Sequence, residues 1–148
     1  NILPSVQPTH ATSDMYWAKD RLGEQREKGG YAYQQLLQQN SWMPLGTDFP
    51  VEDISPFKTF FAAVARQDAN GDPTGGYQIK NALSREQAIK GMTIWAAKGS
   101  FEEKEKGSLE VGKFADFVIL DTDLMRCDVQ DILKTQVVST YSNGKRVK

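Results

Sequence analysis

Asp48 is the residue of this chain best placed for chemistry. It follows the apolar run Trp42-Met43-Pro44-Leu45, which stops at Gly46-Thr47, and it precedes Phe49-Pro50-Val51-Glu52. Barrel enzymes mount catalytic side chains in this way: a buried strand ends and a carboxylate stands at its carboxyl end. Such a carboxylate can bind a divalent metal or act as a general base. The same pattern also reads as a turn Asp closing the loop before Pro50, and on these residues alone the turn reading is ahead. His10 is the single histidine. It lies just past the strand-like run Ile2–Gln7, which Pro8 ends, so its position relative to a strand matches that of Asp48. Loop histidines are more commonly surface or packing residues than ligands.

Other chemistries find little support. A zinc site needs about three protein ligands, and one His plus one Cys cannot supply them. Cys127 stands between Arg126 and Asp128 with no neighbouring His, so it reads as a bystander thiol rather than a nucleophile. Asp68, Asn70 and Asp72 resemble the start of a calcium loop. Such a loop needs Gly at its sixth position and Glu at its twelfth, where this chain has Pro73 and Ile79; a solvated turn is the better reading. Gly71, Gly75 and Gly76 make no phosphate-binding pattern, and there is no G-x-S-x-G nucleophile elbow.

The elements that must position Asp48 and His10 follow from patterning. Thr12 or Ser13 is expected to cap a helix with Met15, Ala18 and Leu22 on one face, and Gly23 to close it. A second helix is expected over Tyr31–Gln39. Ser55-Pro56 reads as an N-cap and first-turn pair ahead of the apolar helix Phe57–Arg66. Ser84-Arg85-Glu86-Gln87 reads as a capping box, opening a helix that runs to about Ala97. After about residue 107 the texture becomes β: Phe117–Leu120 and Val137–Tyr141 read as strands, Val129–Leu133 as a helical turn, and Asn143-Gly144 as a hairpin turn. Strand–helix alternation before that point indicates an α/β fold.

Composition bounds the partners. The 148 residues carry a net charge of −1, which gives no electrostatic case for nucleic acid or an acidic membrane surface. No apolar run approaches the roughly 18 residues needed to span a bilayer. The opening Asn1-Ile2-Leu3-Pro4 has no initiator Met, basic stretch or apolar signal core. The expectation is a piece of a longer protein, which leaves the compartment open with the cytoplasm slightly ahead.

The stretch Ser5-Val6-Gln7-Pro8-Thr9-His10-Ala11-Thr12-Ser13-Asp14, followed by Gly46-Thr47-Asp48-Phe49-Pro50-Val51-Glu52, resembles the end of the amidohydrolase superfamily barrel, in the branch called amidohydrolase family 3. Ala88–Ala97 is similar to the last barrel helix of that branch. Gly107–Asp121 is similar to the superfamily's signature where the chain leaves the barrel, and Val138–Val147 to its final hairpin.

The resemblance implies a (β/α)8 metal-dependent barrel with a β-sandwich built from both chain ends. Residues 1–107 would be the C-terminal portion of the barrel, with Ile2–Gln7 as strand 7 and Trp42–Leu45 as strand 8. Residues 108–148 would belong to the sandwich. Asp48 would correspond to the strand-8 Asp that binds the metal and accepts a proton from the attacking water. Gln7 and His10 would lie near a small-molecule substrate, with Thr47 and Phe49 flanking the site. The remaining ligands of the family, on earlier strands, have no counterpart here. The divalent metal, zinc first, is therefore expected in an intact parent hydrolysing a C–N bond, and none is expected on this chain alone. Exposed strand edges would favour a homo-oligomer. The alternative is a degenerate barrel acting as a non-enzymatic regulatory or binding protein.

Overall fold

A computed structural model describes residues 2–148; Asn1, the first residue of the expected barrel portion, lies outside them. Helix α1 spans Pro8–Leu22, with Pro8 at its first position and Gln7 as N-cap. A proline there has its φ preset and no N–H to leave unpaired, so one residue both ends the extended run and starts the helix. Thr12 and Ser13, expected as caps, therefore fall inside α1, and the Thr12 hydroxyl donates back to the Thr9 carbonyl at 3.0 Å. His10, expected on a loop, sits in the first turn. Gly23 closes α1 at φ 76°, donating its N–H to the Lys19 carbonyl at 2.8 Å.

The short solvent-facing helix α2 (Glu24–Glu27) leads to α3 (Tyr33–Asn40), which buries Tyr33 and Leu37. Helix α4 (Pro56–Ala65) starts at the expected Ser55-Pro56 pair, buries Phe60 and Phe61, and packs across α1. The capping box at Ser84 is complete: Gln87 N–H donates to Ser84 Oγ at 3.1 Å and Ser84 N–H to Gln87 Oε1 at 2.8 Å. The helix it opens does not run to Ala97 unbroken. It divides into α5 (Arg85–Met92) and α6 (Ile94–Gly99) at Thr93, whose φ and ψ are −125° and −97°. The Thr93 hydroxyl donates to the Ile89 carbonyl at 2.7 Å, the local side-chain alternative by which threonine bends helices.

The two extended runs expected as strands meet in a single parallel bridge between Val6 and Leu45. Val6 N–H donates to Pro44 O at 3.1 Å, and Gly46 N–H donates to Val6 O at 3.0 Å. No longer ladder joins them among the described residues, and Pro4, Pro8 and Pro44 lack the N–H groups that would extend one. On its far side Leu45 donates to the Gly91 carbonyl at 3.0 Å, which ties this segment to α5.

The end of the chain forms one antiparallel sheet in the order β1 (Phe117–Leu120), β2 (Val137–Ser142), β3 (Lys145–Arg146). Phe117 lies opposite Tyr141 and their rings stack at 4.5 Å. Asn143 and Gly144 both have positive φ, the geometry expected of a two-residue Asn-Gly hairpin turn. A 3-10 helix over Val129–Lys134 sends Ile132 into the main core beside α4, among Phe60, Phe61, Met43 and Leu83. The molecule is thus a mixed helix and sheet structure.

Candidate metal and catalytic site

The Val6–Leu45 bridge sets the site. Four residues beyond Val6, the first turn of α1 carries His10; three beyond Leu45, the loop carries Asp48 in a left-handed conformation at φ 61°. His10 Nε2 lies 3.1 Å from Asp48 Oδ2 and 3.9 Å from Glu52 Oε1. Nε2 is shut off from solvent, and neither approach has the alignment of a hydrogen bond. Glu52 is held from the other side: the Ser13 hydroxyl donates to its Oε1 at 2.6 Å. His10 and Ser13 stand one helical turn apart on α1, so a single carboxylate addresses both.

Exposure separates the two acids. The Asp48 side chain is 41% exposed, that of Glu52 20%. Neighbouring Asp53 is engaged by Lys58 at 2.6 Å, and that ammonium holds its carboxyl below the usual range. Phe49 N–H donates to Thr47 Oγ1 at 3.3 Å, which tightens the loop around Asp48.

Gln7 supports the site through its backbone. Its carbonyl accepts the N–H of His10 at 3.1 Å and the hydroxyl of Tyr33 at 3.0 Å. Together with His10, Tyr31 and Tyr33 it lines a cleft of about 370 Å³. Beneath lies Arg66, fully buried, with its guanidinium 5.0 Å over the Tyr33 ring and 5.7 Å over that of Tyr77, and its Nε donating to the Tyr77 carbonyl at 2.9 Å. Burial pushes the Tyr33 phenol up to about 12 and the Arg66 guanidinium down from its ordinary value.

Asp48 offers oxygen to a metal from a solvent-accessible loop. Among the described residues, however, no set of three or more His, Cys, Asp or Glu side chains is arranged to hold a metal ion. Asp48 alone would make one corner of a divalent-metal site. The structure brings His10 onto Asp48 and places Gln7 one turn behind. Glu52 is the acidic neighbour that sequence reasoning passes over. The available signal is its spacing: four residues past Asp48, it answers a Ser three residues past His10. The acidic turn Asp68-Asn70-Asp72 stands apart from the site and closes on itself, with Asp68 Oδ1 accepting the N–H groups of Asn70 and Asp72.

A family model described as "Amidohydrolase family" matches residues 1–148. The chain belongs to the amidohydrolase family. It is 36% identical over 148 residues to the Protein LONG AFTER FAR-RED 3 of Arabidopsis thaliana, covering 99% of this chain and 25% of that one. It is 33% identical over 100 residues to an N-substituted formamide deformylase of Arthrobacter pascens, covering 68% and 18%. The crystal structure of an uncharacterized metal-dependent hydrolase from Pyrococcus horikoshii superposes with a TM-score of 0.73 at 31% identity, over 86% of this chain and 26% of that one. The chain therefore spans about a quarter of the length of the relatives it matches most fully. Its fold is that of a portion of an amidohydrolase, and the Pyrococcus neighbour is described as a metal-dependent hydrolase. No helix among the described residues is long and apolar enough to cross a membrane.

Proposed function

We propose that this chain is the C-terminal part of a metal-dependent amidohydrolase that cleaves an amide-type C–N bond of a small molecule, with Asp48 as both metal ligand and base. In this reading residues 1–107 complete a barrel, with the Val6 and Leu45 segments as its last two strands, and residues 108–148 belong to the appended sandwich. The observation that supports it is the convergence of His10 on Asp48 across the Val6–Leu45 bridge, with Asp48 open to solvent at the end of its segment.

A divalent metal, when bound, polarises the scissile carbonyl and makes water a competent nucleophile near neutral pH. The Asp48 carboxylate takes the proton that the attacking water releases. His10 and Gln7 face the substrate from α1, Thr47 and Phe49 flank it, and the cleft by Tyr31 and Tyr33 gives it room. The missing ligands come from segments outside these 148 residues, so the chain alone should neither hold the metal tightly nor turn over substrate. Zinc is the first candidate for that metal in the intact parent. A second reading, a regulatory or binding protein on a degenerate barrel, draws on the Arabidopsis relative, whose name states no reaction.

The test uses the full-length protein. Metal content is measured, hydrolysis is followed on a panel of N-acyl and N-formyl substrates, and Asp48→Ala is compared with wild type. We expect at least one equivalent of divalent metal and a fall in kcat of about a hundredfold or more in the variant. Unchanged activity in Asp48→Ala would remove its assigned role. A metal-free, inactive full-length protein would favour the regulatory reading.

A further inference from the structure

The site holds two acids around one imidazole nitrogen, and the two are held differently. Asp48 stands on a half-exposed loop, whereas Glu52 is more enclosed and anchored by Ser13 at 2.6 Å. His10 Nε2 lies between them, buried and hydrogen-bonded to neither. A buried polar nitrogen without an aligned partner costs free energy, and a small rotation about the His10 side chain would align it with one acid or the other. If one Asp48 oxygen coordinates a cation and the other faces the attacking water, neither is left for that nitrogen. Glu52 is then the acceptor left within reach.

We propose that Glu52 is a positioning residue. It is the acceptor that takes the His10 Nε2–H whenever Asp48 is engaged elsewhere, and Ser13 fixes it in place for that purpose. His10 then keeps one orientation toward the substrate cleft while Asp48 is free to serve the metal and the water. The consequence for the reaction rests on the reading of Asp48 given above, but the hand-over from Asp48 to Glu52 does not. Neighbours that orient active-site groups in metal enzymes are worth roughly ten- to a hundredfold when removed.

His10 is the chain's only histidine, so the imidazole nitrogen spectrum of the 148-residue chain reports on it without assignment ambiguity. Four forms are compared at one pH: wild type, Asp48→Ala, Glu52→Leu and the double variant, each with a thermal melt to establish that it folds. The expected result is that Asp48→Ala retains a hydrogen-bonded, slowly exchanging Nε2–H, because Glu52 has taken it, and that the double variant loses it. Loss already in Asp48→Ala, or retention in the double variant, overturns the proposal whatever the enzyme does. In the full-length protein, Glu52→Leu is expected to lower kcat about tenfold with KM and metal content unchanged, and Ser13→Ala to give a smaller fall in the same direction. A Glu52→Leu enzyme with full kcat also overturns it. If Asp48→Ala leaves activity intact while the nitrogen spectra behave as expected, the hand-over stands and the catalytic reading fails.

Discussion

Tyr33 places a phenol in the core with its hydroxyl on the Gln7 carbonyl, and burial raises that phenol to about 12. An unfolded chain ionises tyrosine near pH 10. The folded pKa is therefore above the unfolded one: the stabilisation is fully present below about pH 10 and is lost as pH rises through about 12. Denaturant melts at pH 8 and pH 11 should show stability falling above pH 10 by about 1.4 kcal/mol per pH unit for this group. Tyr33→Phe should flatten the slope without abolishing it, because Tyr77 is likewise raised to about 12. An equal slope in the variant would mean that Tyr33 ionises within the fold. Residue identity carried unevenly into the sequence reading. Asp48 is legible because it ends an apolar run inside a recognisable motif. Glu52 is not, because its role depends on a hydroxyl 39 residues away that no local pattern brings near.

Elements were legible where a local rule decides and less so where a tertiary contact does. The Ser84 capping box, the Ser55-Pro56 start and the Asn143-Gly144 turn all form as their residues dictate. The start of α1 and the break at Thr93 do not follow from the apolar period; in each, one residue (Pro8 or Thr93) overrides it. Gly91 shows what holds the second site segment in place. A Cβ built there would stand 2.5 Å from Leu45 Cγ and 3.2 Å from the Met43 carbonyl. Gly91→Ala should therefore cost about 1–3 kcal/mol despite the better helix propensity of alanine. Chemical denaturation should show that loss, and in the full-length protein activity should fall with it, since Leu45 leads directly to Asp48. A neutral or stabilising Gly91→Ala would mean that the Leu45 segment yields easily.

At the scale of the molecule, the fold has a well-filled helical core and a thin sheet. Val118, Ile119 and Val138 are each about half exposed, and β1 is an edge strand. Exposed apolar edges pair with other chains. Sedimentation of the isolated chain should show mass increasing with concentration, and Ile119→Lys should return it toward monomer; a strictly monomeric wild type would show that the edge is already blunted.

The bridge between Val6 and Leu45 makes tolerance to changes in chain length uneven. His10 stands four residues beyond Val6 and Asp48 three beyond Leu45, so a one-residue slip at this bridge displaces one from the other. An insertion or deletion between Val6 and His10, or between Leu45 and Asp48, acts directly on the site. The exposed turn Leu109–Gly112 has no such duty, and lengthening it changes loop-closure entropy by only about 0.6 kcal/mol per doubling. Length variation among homologous chains is thus expected to accumulate in the Leu109–Gly112 turn and to be scarce in the two short tethers that set the imidazole against the carboxylate.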